Sequence, residues 1–359
     1  MVTDPRSGRY SADALERFAR KVLRAAGMAR EPAAAVARTL AEGDLLGHDT
    51  HGLALLAPYV KEIEKEAMAL SGEPEVLSDR GASMLWEGRR LPGPWLVMRG
   101  IETLAPRARQ YGSATLVIRR SHHIACLASY LLRATQEGMV MVLASSDPAV
   151  ASVAPHGGTR AVFTPNPIAA GIPASESPFL VDISSSIKTN GMAARMQKAG
   201  RLFDEECLLD AQGNPSRDPA VLGTNPPGTI MPLGGLASGH KGYGLALLVE
   251  ALTGGLAGHG RADPEDGWGA TVFLSLYDPE AFGGSEAFLR QTDWIAQACR
   301  NNPPRPGADT VRMPGDRGLA LMREQRAQGV RLHPTIPPML AECGKKYGVT
   351  LPGEMAQGT

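Results

Sequence analysis

The chain has 359 residues, with 37 Lys plus Arg balanced by 37 Asp plus Glu, and the absence of a basic block argues against nucleic acid as a partner. Its 43% apolar content is that of a globular chain long enough for two or three compact units, and no apolar run is long enough to span a bilayer. The polar start MVTDPRSGRY lacks a signal pattern, and Cys126, Cys207, Cys299 and Cys343 are scattered without a CxxC, so we expect a cytoplasmic chain with unpaired thiols and no zinc ribbon.

From Ser11 to about Ile63 the apolar spacing predicts helices, with Ser11 as an N-cap and Gly27 as a C-cap. Within this part the stretch GDLLGHDTHGLALLAPY, Gly43 to Tyr59, sets Asp49-Thr50-His51-Gly52 between two helix-capable segments. A histidine held there by backbone suits proton transfer near neutrality, its ordinary pKa being about 6.5. The same residues also read as caps and turns, with His51 satisfying local hydrogen bonds.

Glu73 to Trp86 shortens to strand-like spacing, Trp95 to Tyr111 returns to helix, and Ala114 to Ile118 reads as a buried strand. That strand runs into RRSHHIA. Four of the eight histidines, His48, His51, His122 and His123, fall in these two segments, so their convergence would make an acid/base pair. Ala128 to Glu137 is predicted helical and Met139 to Ala144 a buried strand ending in Ser145-Ser146-Asp147-Pro148, where Asp147 either meets a ligand or begins a turn.

Thr164-Pro-Asn-Pro167 leads to the strand Phe179 to Asp182, whose Asp182 either holds a ribose hydroxyl or caps a turn. Leu202 to Asn225 is polar and turn-rich and is expected at the surface. The densest glycine run, PLGGLASGHKGYG from Pro232, leads into a helix predicted from Leu245. Free N–H groups at such a helix start, with Lys241 beside them, suit an anion; tight helix packing with a solvated Lys241 is the other reading. Neither the P-loop nor the Rossmann fingerprint is present. Thr271 to Leu276 is predicted as a strand and Ser285 to Arg300, a segment to Gln328 and Pro337 to Tyr347 as helices. Strands and helices mix without strict alternation, which predicts an α+β, mixed α/β fold.

Taken in order, GHDTHG with Tyr59 downstream, SHHIA, the SDP of Ser146 to Pro148, NPIA from Asn166, LVDISSS, GHKGYGLAL and RMPGD resemble the type 2 malate/L-lactate dehydrogenase family, which includes ureidoglycolate dehydrogenase, diketogulonate reductase, sulfolactate dehydrogenase and cyclic-imine reductases. The resemblance covers nearly the whole chain. It implies a non-Rossmann, largely antiparallel sheet holding NAD or NADP, a helical part built from both chain ends, and a homodimer with its active site at the interface. The chain then divides into a helical part at 1–75, a substrate- and NAD(P)-binding sheet at 76–285, and helices at 286–359 that pack back on the first part.

For the site the resemblance implies an oxidoreductase of 2-hydroxy acids, 2-keto acids or imino acids. His51 would give and take the proton and His123 would be the second acid/base or orienting group. Thr50, Tyr59 and Asp147 would meet substrate. Ser146, Asp182, Ile183, Ser184, Lys241, Pro314, Gly315 and Asp316 would hold the cofactor. Where relatives often carry a carboxylate-binding arginine this chain has Leu55, so either another cation holds the carboxylate, with Lys188 the candidate, or the substrate is bulkier or less anionic there. Ala125 for glycine, Thr50 for serine, Pro165 for threonine and Asp316 for glutamate are smaller departures. The competing expectations are a metal-dependent hydrolase or lyase using His48, His51, His122 and His123, and a relative that binds ligand without turnover.

Overall fold

Ser11 Oγ accepts from the Ala14 N–H at 3.4 Å and starts a helix whose Leu15, Phe18, Ala19, Val22 and Leu23 share one buried face, until Gly27 at φ +98° ends it. This computed structural model describes residues 8–263 and 267–355, so the polar opening run through Ser7 lies outside the described residues. In chain order come β1 (Arg9–Tyr10), α1 (Ala12–Ala25), α2 (Arg30–Leu45), α3 (Leu56–Glu64), β2 (Glu75–Asp79), β3 (Ser83–Glu87), α4 (Gly93–Tyr111), β4 (Ser113–Ser121), α5 (Ala128–Thr135) and β5 (Val140–Ser146). Next are β6 (Pro167–Ile172), β7 (Phe179–Ser184), α6 (Asn190–Lys198), β8 (Leu208–Leu209), β9 (Pro215–Ser216) and β10 (Thr229–Ile230). The last are α7 (Gly235–Glu250), β11 (Ala270–Tyr277), α8 (Ser285–Arg300), α9 (Asp316–Gln328), β12 (Val330–Arg331) and α10 (Ile336–Lys346).

Seven strands form one mixed sheet in the order β2-β3-β4-β11-β5-β6-β7, in which β3 and β4 run parallel and every other neighbouring pair antiparallel. Its register aligns Leu116, Leu274, Leu143 and Ala169 on one face and Val117, Phe273, Ala144 and Ile168 on the other. The first row enters the main core, shared with helices from both chain ends. The second is covered by Val249, Leu252 and Ala257, at and beyond the end of α7. Pairing of Tyr10 with Val330 ties the start of the chain to its end. Among the described residues no helix is long and apolar enough to cross a membrane.

Two expectations need correction. The segment from Leu202 to Asn225 is not simply surface: Phe203, Cys207 and Leu208 are buried and, with Val153, Phe163, Ala193, Ile230 and Ala246, make a second small core. Their few apolar side chains suffice because a three-stranded sheet, β10-β8-β9, folds over them. Helix α7 begins at Gly235 rather than Leu245, with a break at Ser238 (φ −133°), so the glycine run is mostly helix and Lys241 lies just past the break.

Candidate active site

Helix α2 ends at Leu45 and the chain turns back on itself at once. Gly47 (φ +84°) makes the turn, His48 N–H donates to Gly43 O at 2.8 Å, and His51 N–H donates to His48 O at 2.8 Å. The turn can lie this close because Gly52 has no side chain: a Cβ there would come within 2.4 Å of Asp44 Oδ2. Asp44 Oδ2 instead accepts the Leu53 N–H at 2.6 Å, and burial pushes its carboxyl up to about 8, so it is protonated at neutral pH. His51 is thereby fixed by backbone. Its Nδ1 lies 2.8 Å from Thr50 Oγ1, and burial lowers its pKa to about 4, reinforced by His48, so the ring is neutral near pH 7.

The second histidine segment is set by α4. A Cβ at Gly93 would lie 2.3 Å from His122 O and 2.5 Å from His123 O, so the helix start rests directly on these carbonyls. His123 Nδ1 accepts from the Ala125 N–H at 3.3 Å, which puts the ring proton on Nε2. Tyr59 Oη, with one proton to give, lies 2.8 Å from the same Nδ1 and 3.1 Å from His123 O and donates between these two acceptors. Trp268 stacks on the His123 ring with centroids 4.5 Å apart, and the His51 and His123 centroids are 6.0 Å apart. Burial holds the His123 pKa well below its ordinary value. The structure therefore joins Thr50, His51, Tyr59, His123 and Trp268 into one cluster. The hydroxyls of Thr50 and Tyr59, expected to meet substrate, hold the two rings.

Asp147 accepts from the Ala149 N–H at 3.0 Å with the N–H of Gly269, the residue after Trp268, also directed at it, while burial raises its carboxyl. Lys188 does not turn to the histidines: its Nζ is 2.7 Å from Glu205 Oε1 and 5.6 Å from the Phe203 ring centroid. Arg195, one helix later, does approach, with Nη1 donating to Asp49 Oδ2 at 2.8 Å.

Most of the expected cofactor residues lie on β7 or near its ends, Ser146 being at the end of β5, and most of their side chains are engaged internally. Asp182 Oδ2 accepts the Ala128 N–H at the start of α5 (2.9 Å), and Ser184 Oγ donates to Ser186 O at 2.7 Å. Asp182 and Ile183 project to opposite faces of the sheet, and Ile183 is exposed. Ser146 Oγ donates to Glu250 Oε1 (2.8 Å), which also takes Asn166 Nδ2 (2.8 Å) and Arg261 Nε (2.6 Å). Asp316 accepts from Arg300 Nη2 (2.8 Å) and the Met313 N–H (2.9 Å), while Leu180 N–H donates to Pro314 O at 3.0 Å and Gly315 (φ +97°) packs on Leu180. The four histidines do not form one donor set. Among the described residues the group with metal-ligand spacing is His48, Cys126 and Asp182, whose donor atoms lie within 4.8 Å of one another. His122 is sealed between Tyr59 and Trp268, with both ring nitrogens lacking hydrogen bonds.

Comparison with known proteins decides the family. The malate/L-lactate dehydrogenase profile matches residues 10–340. The chain belongs to the malate/L-lactate dehydrogenase family. This dehydrogenase is 28% identical to the L-lactate dehydrogenase of Cupriavidus necator over 351 residues, 96% of this chain and 99% of that protein. It is 30% identical to the (2R)-3-sulfolactate dehydrogenase (NADP(+)) of Chromohalobacter salexigens over 86% of this chain and 90% of that protein. The crystal structure of malate dehydrogenase from Entamoeba histolytica superposes with a TM-score of 0.90 at 26% identity, covering 97% of this chain and all of that one. The protein is thus an oxidoreductase of the malate/lactate type. Two residues of this dehydrogenase's site escaped the sequence reading. Trp268 sits in a polar stretch with no periodicity, and no signal marks it. Arg195 lies on α6, a helix the sequence analysis does not predict; Thr189 as its N-cap is the signal that would have set Gly191 and Arg195 on one face.

Proposed function

We propose that the enzyme transfers hydride between NAD or NADP and a 2-hydroxy acid/2-keto acid pair, or a related imino acid, with His51 taking and giving the proton. The observation that carries this reading is the neutral, half-buried imidazole of His51, held by Thr50 at 2.8 Å and set 6.0 Å from the ring of His123. The hydroxy-acid names of the relatives support it.

The residues along β7 fit a nicotinamide cofactor. β7 is the outer strand of its sheet, and the alternation that turns the Leu180 N–H outward to Pro314 turns the backbone of Asp182 outward as well. The Pro314-Gly315-Asp316 turn lies at one end of this edge. At the other, Gly242 packs so close to Ser185 O that a Cβ would come within 2.7 Å, which brings the exposed Lys241 to the strand end. Lys241 is the natural partner of a pyrophosphate there. In this reading Asp182, Ile183 and Ser184 offer the strand edge, Pro314, Gly315 and Asp316 the facing turn, and Ser146 the end of β5. The bound cofactor accepts or supplies the hydride.

Neutral His51 is a base, so in oxidation its Nε2 takes the hydroxyl proton while Thr50 Oγ1 accepts from Nδ1 as the ring gains charge. In reduction the same ring returns that proton to the oxygen. His123, carrying its proton on Nε2, donates to this oxygen, oriented by Tyr59 and Trp268. Asp147 borders the substrate. The test follows the absorbance of reduced nicotinamide with a panel of 2-keto acids and cyclic imino acids, using each cofactor in turn. His51→Ala should bind cofactor normally and lose about 10²–10⁴-fold in turnover. Full turnover in this variant would remove the assignment.

A further inference from the structure

Any 2-hydroxy acid brings a carboxylate to within a few ångström of His51, and a carboxylate entering a half-buried site needs a cation. Three cations stand on the segment that approaches the Asp49-Thr50-His51 turn, of which Lys198 is exposed at the far end of α6. Lys188 is engaged by Glu205 at 2.7 Å and lies against Phe203. Arg195 is different. Helix α6 enters beside Thr50 so closely that a Cβ on Gly191 would touch Thr50 Cβ at 3.4 Å, and Arg195, four residues on, shares that face. Its Nη1 donates to Asp49 Oδ2 at 2.8 Å, two residues from the catalytic imidazole.

That is the one hydrogen bond Arg195 makes among the described residues. A guanidinium has five N–H donors in a planar fork, so the Nε and Nη2 edge is left without a protein partner. The side chain is 27% exposed, enough for a ligand to reach that edge and too little for water to screen it fully. Its charge is felt by His51, by buried Asp44 and by His333 from the far end of the chain, in keeping with a guanidinium seated beside the Asp49-Thr50-His51 turn. Asp49 grips one nitrogen and fixes the fork in place without filling it.

We propose that Arg195 is the anion anchor of the substrate site: its free edge binds the carboxylate of the 2-hydroxy or 2-keto acid, or a sulfonate of like geometry, and so sets the distance of the reacting carbon from His51. The anchor rests on the hydroxy-acid reading above, and the experiment separates the two. Steady-state kinetics of the wild type and Arg195→Met are compared on the best 2-keto acid of the panel and on its neutral amide. Calorimetry then measures oxamate, an unreactive 2-keto acid isostere, binding to the enzyme with reduced nicotinamide.

With the anchor in place, Arg195→Met raises KM for the acid and weakens oxamate about 100-fold, leaves kcat/KM for the amide within a few-fold, and leaves cofactor affinity unchanged; Arg195→Lys recovers part of the loss. An unchanged KM for the acid, or equal losses on acid and amide, overturns the anchor while the hydroxy-acid reading stands. A wild type that turns over no panel member yet binds oxamate through Arg195 keeps the anchor and removes the reaction assignment. Failure of the wild type both to turn over any member and to bind oxamate overturns both.

Discussion

His122 is fully buried, has no hydrogen bond to either ring nitrogen, and has its nearest carboxylate, Glu62, at 3.9 Å. Burial lowers its pKa to about 3, aided by the charge of Arg90. The unfolded chain therefore binds a proton below pH 6.5 that the folded protein refuses, so this residue's contribution is intact above pH 6.5 and declines as the pH falls toward 3. Between pH 7 and pH 5 that amounts to about 2 kcal/mol. His122→Leu keeps the packing against Tyr59 and Trp268 and removes two unsatisfied polar atoms. Urea denaturation at both pH values should show the variant at least as stable as wild type at pH 7, with the acid-side loss smaller by about 2 kcal/mol. Parallel acid-side losses in the two proteins would refute this account. The neighbouring Ala125 departs from the glycine expected by family resemblance, and its φ of +58° shows what glycine would relieve there.

Helix α4 transmits position to the site through its first residue. Because Gly93 lies against two consecutive backbone carbonyls, Gly93→Ala must displace either the helix start or His122 and His123. A shift of about 1 Å in the His123 ring should lower kcat/KM by roughly 10²-fold while far-ultraviolet circular dichroism stays that of wild type. Retention of full activity with a normal fold would mean the carbonyls give way without moving the ring. Elements of this kind show what the chain made legible. The helices of the first 64 residues, the buried strands and the two histidine segments announce themselves through periodicity and residue type, because each buries a face of its own. The length of α7 was hidden because glycine favours both loop and close helix packing, and only the approach of Gly242 to Leu233 and Ser185 decides between them. The sequence singles out Lys188 and not Arg195, since their roles depend on where Glu205 and Asp49 fall after folding.

In the whole molecule the sheet is covered on one face by helices from both chain ends and on the other by α7 and the turns that follow it. The second cover is incomplete. α7 is apolar around most of its circumference, as a helix buried on all sides would be, yet Leu247 and Leu248 remain nearly half exposed and Leu256 beyond it is 58% exposed. Between Lys241 and His259 the exposed positions are Gly244, Leu247, Leu248, Ala251, Gly255, Leu256 and Gly258, with no charge among them. A second copy related by a twofold axis would lay the same surface against itself, its small residues allowing close approach and its leucines supplying the buried area. The homodimer expected from the family resemblance therefore has a physical candidate for its contact. Leu248→Asp would place two carboxylates face to face in that contact, and sedimentation velocity should show the variant as a monomer at concentrations where wild type is a dimer. Its cofactor affinity, measured by nicotinamide fluorescence, and its turnover then report whether the partner completes the site: binding retained with turnover lost locates the requirement at the substrate end. A variant that still sediments as a dimer would move the contact to another surface.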